Sequence, residues 1–263
     1  MKRLNERSVW ISGGSDGMGK ATAILAAKEG AKVMVFSRNE AKCRAVCDEI
    51  RFFGGTAAYT LGSIGDENAV KASIDATVSE FGSIDMLVNN AGITASYKFA
   101  EIPTDVFKNI YETNVYGPYY AMKHAIPYME KQQKFGENKG IIVNVASISA
   151  LHTTKSCAAY SSSKAAVVMY TKAAAVEYAP EGIRINCVCP GFTKTSMVEK
   201  LKDDMVEVNG RMVPYVEWCE SIIPARRAGN PDDVAKAIVW LLSEESSYIY
   251  GAVIPVDGAK VLG

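Results

Sequence analysis

Residues Ser8–Gly19 read SVWISGGSDGMG, an apolar run followed at once by a glycine-rich turn. The run carries the β-branched and aromatic side chains typical of a buried strand, and a helical pattern, Gly17–Glu29, begins inside the turn. Glycines at positions 13, 17 and 19 permit a tight turn and bring backbone N–H groups close to a phosphate at the positive end of the helix. The segment therefore predicts a strand, a nucleotide-binding turn and a helix.

The same order of elements repeats along the chain. Further strands are predicted near Lys32–Ser37, Thr56–Thr60, Ile84–Asn89, Gly140–Ala146, Ile183–Cys189 and Ala252–Val256. Further helices are predicted near Asn39–Phe53, Asp66–Phe81, Pro103–Lys134, Cys157–Tyr178 and Pro231–Leu242. Because most of the strands are apolar on both faces, helices must cover both sides of the sheet. We therefore expect an α/β fold, a doubly wound, Rossmann-type seven-stranded parallel sheet, in a single domain over residues 1–263.

The composition argues against several classes of protein. The 263 residues carry 29 Lys and Arg against 29 Asp and Glu, so bulk charge attracts neither nucleic acid nor an anionic membrane. No apolar run approaches the roughly 18 residues of a membrane span, and Met1–Arg7 lacks the apolar stretch of a signal peptide. We expect a cytoplasmic protein with no membrane or nucleic-acid partner. The six cysteines form no CxxC pair, and we expect structural thiols and no metal site.

Two phosphate-binding patterns compete at the glycine turn. Residues 14–20 spell the GxxxxGK of a nucleoside triphosphatase, but Ala21 stands where that motif needs a Ser or Thr for magnesium. The common dinucleotide pattern GxGxxG is absent as well. The turn alone leaves open a dinucleotide site, a triphosphatase and a simple strand-to-helix connection, although Ala21 weakens the second.

Several polar residues could take part in catalysis, and they follow predicted strands or lie on predicted helices. Tyr160 and Lys164 are four residues apart and share one helix face, where an ammonium would stabilise a phenolate that works near neutral pH. Ser147 follows one strand and Asn89–Gly92 ends another, at the edge where open α/β sheets bind ligands. Asn114 interrupts a helical pattern, which suggests a buried hydrogen-bonding role.

Together these features resemble the short-chain dehydrogenase/reductase family, from about Arg7 to Gly258. The resemblance implies that Asn114, Ser147, Tyr160 and Lys164 form the catalytic tetrad. It also implies the strand order 3-2-1-4-5-6-7, a small ketone or alcohol as substrate, and a homotetramer or homodimer.

The resemblance implies a mechanism of hydride and proton transfer. Tyr160 would donate a proton to a carbonyl oxygen while hydride from the cofactor attacks the carbon, and alcohol oxidation would reverse these steps. Ser147 would polarise the oxygen, and Lys164 would lower the pKa of Tyr160 and hold the nicotinamide ribose. Asn114 would hold a water that relays protons to Lys164.

The residues after the second strand bear on the choice of cofactor. Ser37 stands where many NAD-dependent relatives have an acidic residue, and Arg38 follows, as in relatives that bind the 2′-phosphate of NADP. Asp16, at a loop position that is often basic in NADP-dependent relatives, argues the other way. We expect NADP(H), with NAD(H) as the alternative. Ser63 replaces an aspartate common near the adenine, Ser12 a threonine, and Ala259 a glycine.

The expected cofactor residues extend from the glycine turn to the end of the sixth strand. They are Gly13, Ser15, Asp16, Gly17, Met18, Gly19, Ser37, Arg38, Ser63, Ile64, Asn90, Ala91, Gly92, Tyr160, Lys164, Pro190, Gly191, Thr193 and Thr195.

Large apolar residues between 192 and 229 predict a substrate loop or lid. Expected substrate residues are Tyr97, Ser149, His152, Met197 and Trp218. The same apolar side chains would also suit a subunit contact or packing of the loop onto the body. The loop resembles those of polyol and acetoin-type reductases, and a hydroxysteroid or 3-oxoacyl reductase stays open. The alternatives are an NAD-dependent alcohol or polyol dehydrogenase and a non-catalytic dinucleotide sensor or scaffold, although the latter tends to lose tetrad residues.

Overall fold

A parallel sheet of seven strands runs through the part of the chain that the structure describes. The computed structural model describes residues 2–199, 205–208 and 210–262, without the side chains of Met197 and Glu199. The strands in chain order are β1 (Ser8–Ser12), β2 (Lys32–Ser37), β3 (Thr56–Leu61), β4 (Met86–Asn89), β5 (Gly140–Val145), β6 (Ile183–Pro190), β7 (Met205–Val208), β8 (Arg211–Pro214) and β9 (Val253–Val256). The sheet order is β3-β2-β1-β4-β5-β6-β9, which confirms the expected order, and β7 and β8 form a separate hairpin.

Helices cover both faces of the sheet. In chain order they are α1 (Gly17–Lys28), α2 (Glu40–Phe52), α3 (Glu67–Phe81), α4 (Thr104–Tyr111), α5 (Gly117–Lys131), α6 (Ala158–Tyr178), α7 (Ser196–Glu199), α8 (Tyr215–Ser221) and α9 (Pro231–Leu242). The side chains of Asp16, Asn39 and Asp66 cap α1, α2 and α3 by accepting hydrogen bonds from backbone N–H groups of the first turn. Before α9, Asn230 and Asp233 form a reciprocal capping box around Pro231.

Two apolar layers explain why the strands are continuously apolar. Val9 and Ile11 of β1 pack into a layer with residues of α1, α2 and α9. Trp10, between them, points to the opposite layer, which residues of α3 and α5 complete. The alternation places one set of side chains on each face of the sheet, and neither face reaches water.

The prediction of one helix over residues 103–134 is wrong, because the helix is interrupted near its middle. α4 ends at Tyr111, a π-helical turn spans Glu112–Tyr116, and α5 continues to Lys131. A π turn inserts an extra residue and changes the face that the following turn presents. The reason here is tertiary, because Asn114 in this turn bonds to backbone far along the chain.

Part of the segment 192–229, which is predicted to be a loop or lid, forms regular secondary structure. It contains α7, the β7–β8 hairpin and α8, and its two ends are joined because Lys194 N donates to Gly229 O over 2.9 Å and Gly229 N donates to Phe192 O over 2.9 Å. Gly210 adopts a φ of +76° between the two hairpin strands, a conformation that glycine adopts readily. Asn209, also part of this connection, lies outside the described residues.

Two further observations concern the apolar character of the helices and the state of the cysteines. None of the helices in the described part of the chain is both long and apolar enough to span a bilayer. All six cysteines are described and carry free thiols; five are buried and Cys157 is partly buried.

Candidate active site

One hydroxyl joins the glycine turn to the end of β4. Ser12 Oγ accepts hydrogen bonds from the backbone N–H groups of Asn90 (3.0 Å) and Ala91 (3.1 Å). In return, Asn90 Nδ2 donates to the carbonyl oxygens of Ser12 (3.1 Å) and Gly13 (3.3 Å). Because β1 and β4 are neighbours, these bonds fix the glycine turn against the Asn-Asn-Ala-Gly element at the carboxyl edge of the sheet. The serine at position 12 thus supplies a hydroxyl, as a threonine would.

The glycine turn is packed so closely that two of its glycines are required. Gly13 has a φ of +64°, which favours glycine. A Cβ on Gly19 would lie 2.2 Å from Gly13 O and 2.5 Å from Asn90 Nδ2. Asp16 then caps α1 by accepting a hydrogen bond from Gly17 N over 2.7 Å. The turn therefore presents the start of a helix and close-packed backbone to one cleft, as phosphate binding requires.

That cleft has a volume of about 430 Å³ and contains most of the expected cofactor residues. The expected residues that line it are Gly13, Ser15, Asp16, Gly17, Met18, Ser37, Arg38, Ser63, Ile64, Asn90, Ala91, Gly92 and Thr195. Sequence reasoning missed further lining residues, namely Phe36, Gly62, Ile93, Asn109, Thr113 and Ser196. Phe36 and Gly62 lie at or just past the carboxyl ends of β2 and β3, a position that could have identified them.

The remaining expected cofactor residues lie outside the lining of this cleft. Gly19 packs beneath the turn. Pro190 ends β6, Gly191 N donates to Val256 O over 3.0 Å, and Thr193 Oγ1 donates to Gly191 O over 3.0 Å. Thr193 is buried, so its hydroxyl stabilises the turn after β6.

A cluster of polar side chains closes one end of the cleft. Ser15 Oγ donates to Ser37 Oγ over 2.8 Å, which joins the glycine turn to β2. Asp16 Oδ2 accepts from Lys42 Nζ at 2.5 Å and from Ser196 Oγ at 3.0 Å. The Lys42 ammonium lowers the pKa of the Asp16 carboxyl, and the bonds from Ser196 and Gly17 act in the same direction. Asp16 therefore connects the turn to both α2 and α7.

Asn114 is fully buried in the π turn and bonded through both ends of its amide. Its Oδ1 accepts from Ile93 N over 2.9 Å, and its Nδ2 donates to Ile93 O over 2.9 Å and to Ser163 Oγ over 3.1 Å. Ser163 Oγ in turn donates to Tyr160 O over 2.7 Å. The side chain thus connects the segment after β4 to the first turns of α6, which carries Tyr160 and Lys164.

Lys164 is a buried cation at the centre of the site. It is 4% exposed, and its Nζ donates to Val145 O over 2.9 Å. Desolvation lowers the pKa of Lys164 from 10.5 to about 8. A Cβ at Gly92 would lie 3.2 Å from Lys164 Nζ and 3.3 Å from Asn114 Oδ1, so the glycine keeps open the space where these two groups meet the cleft.

Tyr160 lies one helical turn before Lys164 and is partly exposed. Burial of the phenol raises the pKa of Tyr160 above its usual value of 10, while a hydrogen bond with Ser147 lowers it. The pKa of Tyr160 is therefore raised overall, whereas pairing with Lys164 is expected to lower it. The physical reason is that Lys164 Nζ is held by Val145 and lies 5.9 Å from the centre of the Tyr160 ring. Ser147 itself accepts a hydrogen bond from Ser149 N over 3.1 Å.

The expected substrate residues lie in separate places. Tyr97, Ser149 and His152 line a second cleft of about 550 Å³. On α6 this cleft is lined by Ala158, Ser161, Ser162 and Ala165. At 100° per residue, these positions lie on the side of the helix roughly opposite Tyr160 and Lys164.

Trp218 packs against Tyr215, with ring centres 5.8 Å apart and ring planes tilted by 38°, and Tyr215 contacts Phe192 edge-on at 6.1 Å. Trp218 therefore belongs to an aromatic cluster at the base of the 192–229 segment. The side chain of Met197 lies outside the described residues.

The residues at the carboxyl edge fit a nicotinamide dinucleotide. Gly13 and Gly17 of the turn line the cleft, and a Cβ on Gly92 in the same wall would crowd Lys164 Nζ and Asn114 Oδ1. Hydroxyls and amides line the cleft beside them. Among the residues that the structure describes, no group of three or more His, Cys, Asp or Glu side chains could hold a metal ion.

The chain is similar in sequence and in structure to known proteins. A family model described as enoyl-(acyl carrier protein) reductase matches residues 13–259. The 3-oxoacyl-(acyl-carrier-protein) reductase of Thermotoga maritima is 34% identical over 260 residues, covering 99% of this chain and 100% of that protein. The cyclopentanol dehydrogenase of a Comamonas species is 34% identical over 258 residues, 98% of each chain.

The crystal structure of a short-chain type dehydrogenase/reductase from Mycobacterium marinum superposes with a TM-score of 0.88 at 35% identity, covering 98% of this chain and 96% of that one. The agreement extends over nearly the full length of the chain, in sequence as well as in fold. The chain therefore belongs to the short-chain dehydrogenase/reductase family, oxidoreductases that use a nicotinamide dinucleotide.

Proposed function

We propose that the protein is an NADP(H)-dependent oxidoreductase that interconverts a ketone and a secondary alcohol, with Tyr160 as the general acid and base. The observation that carries this proposal is the meeting of four side chains at the carboxyl end of β5. Ser147 bonds to Tyr160, Lys164 follows one turn later, and Asn114 and Lys164 both approach Gly92 in the wall of the cleft. A proton donor, an oxygen-binding hydroxyl and a cation therefore lie beside a dinucleotide cleft.

Each residue has a role that follows from its contacts. When bound, the nicotinamide supplies hydride for reduction and accepts it in oxidation. Tyr160 donates its phenolic proton to the substrate oxygen, and the Ser147 hydroxyl, which lies within hydrogen-bonding reach of Tyr160, orients that oxygen by a hydrogen bond of its own. A raised pKa keeps Tyr160 protonated and ready to act as an acid.

Proton return would run through the buried cation. Lys164, with a pKa of about 8, can give up and regain a proton near neutral pH. Asn114 Oδ1 lies near Lys164 Nζ across Gly92 and would hold the water that connects Lys164 to solvent. Lys164 would also bind the nicotinamide ribose, and Thr195, which follows β6 and lines the cleft, would contact the carboxamide.

Arg38 supports NADP(H) as the cofactor. It is exposed and lines the cleft just past the end of β2, beside Ser37, where an acidic residue would favour the ribose hydroxyls of NAD. Asp16, the feature that favours NAD(H), has its charge compensated by Lys42 at 2.5 Å. NAD(H) is the alternative cofactor.

The proposed substrate is a small apolar ketone or secondary alcohol. Phe192, Tyr215 and Trp218 support this proposal, because they present aromatic surface along the 192–229 segment, which we propose to be the substrate lid. The similarity to a cyclopentanol dehydrogenase and to a 3-oxoacyl reductase is consistent with a carbonyl on an apolar skeleton.

We also propose a homotetramer or a homodimer. Apolar side chains are exposed on α5, α6 and the π turn before α5, including Tyr116 (48%), Tyr119 (51%), Met169 (64%) and Val176 (80%). An exposed group of this kind is typical of protein interfaces. Light scattering would show two or four times the 28.4 kDa chain mass, and a monomer would contradict this part of the proposal.

The test is turnover of the purified protein with NADPH and with NADH against cyclic ketones, diketones, ketosteroids and 3-oxoacyl thioesters. We expect NADPH to be oxidised preferentially, and Tyr160→Phe to lower kcat by about 100- to 10,000-fold. Arg38→Ala should weaken NADPH binding about tenfold or more and leave NADH nearly unchanged.

Tyr170→Phe is the matched control, because it removes another buried phenolic hydroxyl of α6, one that has no hydrogen-bond partner among the described residues. It should retain turnover. Full turnover by Tyr160→Phe would contradict the assignment of the acid. Binding of both cofactors with no turnover of any substrate would favour a dinucleotide sensor.

A further inference from the structure

A lysine outside the expected cofactor residues is bonded to a residue that lines the cleft. Lys42 lies in the first turn of α2, where Asn39 Oδ1 accepts its backbone N–H over 3.0 Å. Its Nζ donates to Asp16 Oδ2 at 2.5 Å, and the Asp16 side chain belongs to the lining of the cleft. The ammonium is therefore held within hydrogen-bond distance of the cleft wall by a residue 26 positions away in sequence.

Among the described residues, the charged groups at Asp16, Arg38 and the first turns of α2 carry a net positive charge. Arg38 lines the cleft and forms no salt bridge with any described residue. The charge of Lys42 is balanced by Asp16. In the described first turn of α2, Glu40 is acidic; Arg44 pairs with it at 3.0 Å and Tyr59 donates to it at 3.2 Å. The sum over Arg38, Lys42, Asp16, Glu40 and Arg44 is one positive charge, with the unpaired cation at the cleft.

We propose that Lys42 is a specificity-determining residue that provides, with Arg38, the second cation for the 2′-phosphate of NADP(H). The inference rests on the proposed use of NADP(H) and adds a residue to it. Asp16 then has two opposite effects. It holds the ammonium at the cleft wall, and its own carboxylate would repel a phosphate if the ammonium were removed.

This arrangement explains how an acidic residue is compatible with phosphate binding in the glycine turn. The carboxylate of Asp16 does not face the cleft alone, because Lys42 and Ser196 both donate to Oδ2. An incoming phosphate would share the Lys42 ammonium with Asp16, since an ammonium has three donors.

Because Asp16 has two opposite effects on phosphate binding, the effect of Asp16→Asn should differ between the wild type and the Lys42→Met variant. Affinities for NADPH and NADH would be measured by calorimetry for the intact wild type, Lys42→Met, Asp16→Asn and the double variant. We expect Lys42→Met to weaken NADPH binding about tenfold and to change NADH binding less than about twofold. Asp16→Asn alone should change NADPH binding less than about threefold, because loss of the anchor and loss of the negative charge offset each other.

In the Lys42→Met background, the same Asp16→Asn change should strengthen NADPH binding by about threefold or more, because only the repulsion remains. A merely structural role of the Asp16–Lys42 pair predicts no gain in NADPH affinity from Asp16→Asn in the Lys42→Met background. The control is Lys71→Met, whose ammonium pairs with Asp75 on α3 and whose side chain is 54% exposed, against 53% for Lys42. It should change neither affinity.

The outcomes separate this inference from the proposed function. A wild type that binds NADPH more tightly than NADH, with that preference unchanged in Lys42→Met and lost in Arg38→Ala, would overturn the role of Lys42 and leave the proposed cofactor in place. Equal losses for both cofactors in Lys42→Met would show a structural role and overturn the inference. A wild type that prefers NADH would overturn the proposed cofactor and the role of Lys42 together.

Discussion

Lys164 donates from Nζ to the backbone oxygen of Val145 over 2.9 Å, and this bond holds the buried ammonium of α6 against the last residue of β5. The contact explains why the cation is kept at the edge of the sheet although burial disfavours its charge. It places Lys164 between the Tyr160 ring and the cleft wall at Gly92.

This burial makes the stability of the protein depend on pH. The pKa of Lys164 falls from 10.5 in the unfolded chain to about 8 in the folded protein. Below about pH 8 the lysine is charged in both states, and the folded state then carries the full cost of burying that charge. The penalty, about 3 kcal/mol at roughly 1.4 kcal/mol per pKa unit, disappears as the pH approaches 10.5. Relative to Lys164→Met, the wild type should gain about 2 kcal/mol in free energy of unfolding between pH 7 and pH 10.

Urea denaturation of both proteins at the two pH values would measure that gain. Lys172→Met, which removes an exposed lysine of the same helix, should follow the wild type. If the difference between wild type and Lys164→Met stayed constant with pH, the lowered pKa would be wrong.

Gly19→Ala should disrupt the glycine turn. The new Cβ would lie 2.2 Å from Gly13 O and 2.8 Å from Gly13 C, and these are backbone atoms that cannot turn away. We expect a loss of about 1–3 kcal/mol in stability, together with weaker binding of both cofactors. Thermal unfolding and cofactor titration would detect it. Gly65→Ala is the control, because its Cβ meets its nearest atom at 3.6 Å; an equal effect there would contradict the argument from close packing.

Asn114→Ala should destabilise the protein by about 2 kcal/mol. It removes both partners of the Ile93 backbone groups, which are left unbonded in a buried site. Because Asn114 also joins the segment after β4 to α6 through Ser163, we expect kcat to fall as well. Denaturant unfolding and steady-state kinetics would measure the two effects. Asn68→Ala, on the exposed side of α3, should change stability by less than about 0.5 kcal/mol.

Trp218→Ala tests the proposed substrate lid. Its ring packs against Tyr215, and loss of that apolar surface should raise KM for a bulky cyclic ketone by about three- to tenfold. The affinity for NADPH should stay unchanged. Phe52→Ala, which removes an aromatic ring that is 95% exposed at the end of α2, should leave KM unaltered. A fall in thermal stability with no change in KM would show that Trp218 only packs the segment onto the protein.

Local patterns were sufficient to predict most of the sheet. The strands have continuous apolar runs, since both faces are covered, and the predicted ends differ from the observed ones by at most two residues, as at β4, which begins at Met86 rather than Ile84. The order of strands came from the resemblance and is confirmed. The lining of the cofactor cleft could also be anticipated, because the glycine turn and the carboxyl ends of the strands are recognisable in sequence.

The errors occur where distant residues decide local structure. The helical period continues through residues 112–116, and only the bonds of Asn114 to Ile93 give that stretch a π turn. Similarly, the direction of the Tyr160 pKa depends on where Val145 holds Lys164.

The sequence alone determined the seven strands of the sheet, the helices between them apart from the π turn and the elements of residues 192–229, the glycine turn, and Tyr160 and Lys164 as a pair on one helix face. Each of these depends on neighbours a few residues apart. Tertiary structure decided that Asp16 pairs with Lys42 and Ser196, and that Gly92 separates Lys164 from Asn114. Those contacts join residues that are far apart in the chain, and only the packing of strands and helices into one edge of the sheet brings their charges and hydrogen-bonding groups within reach.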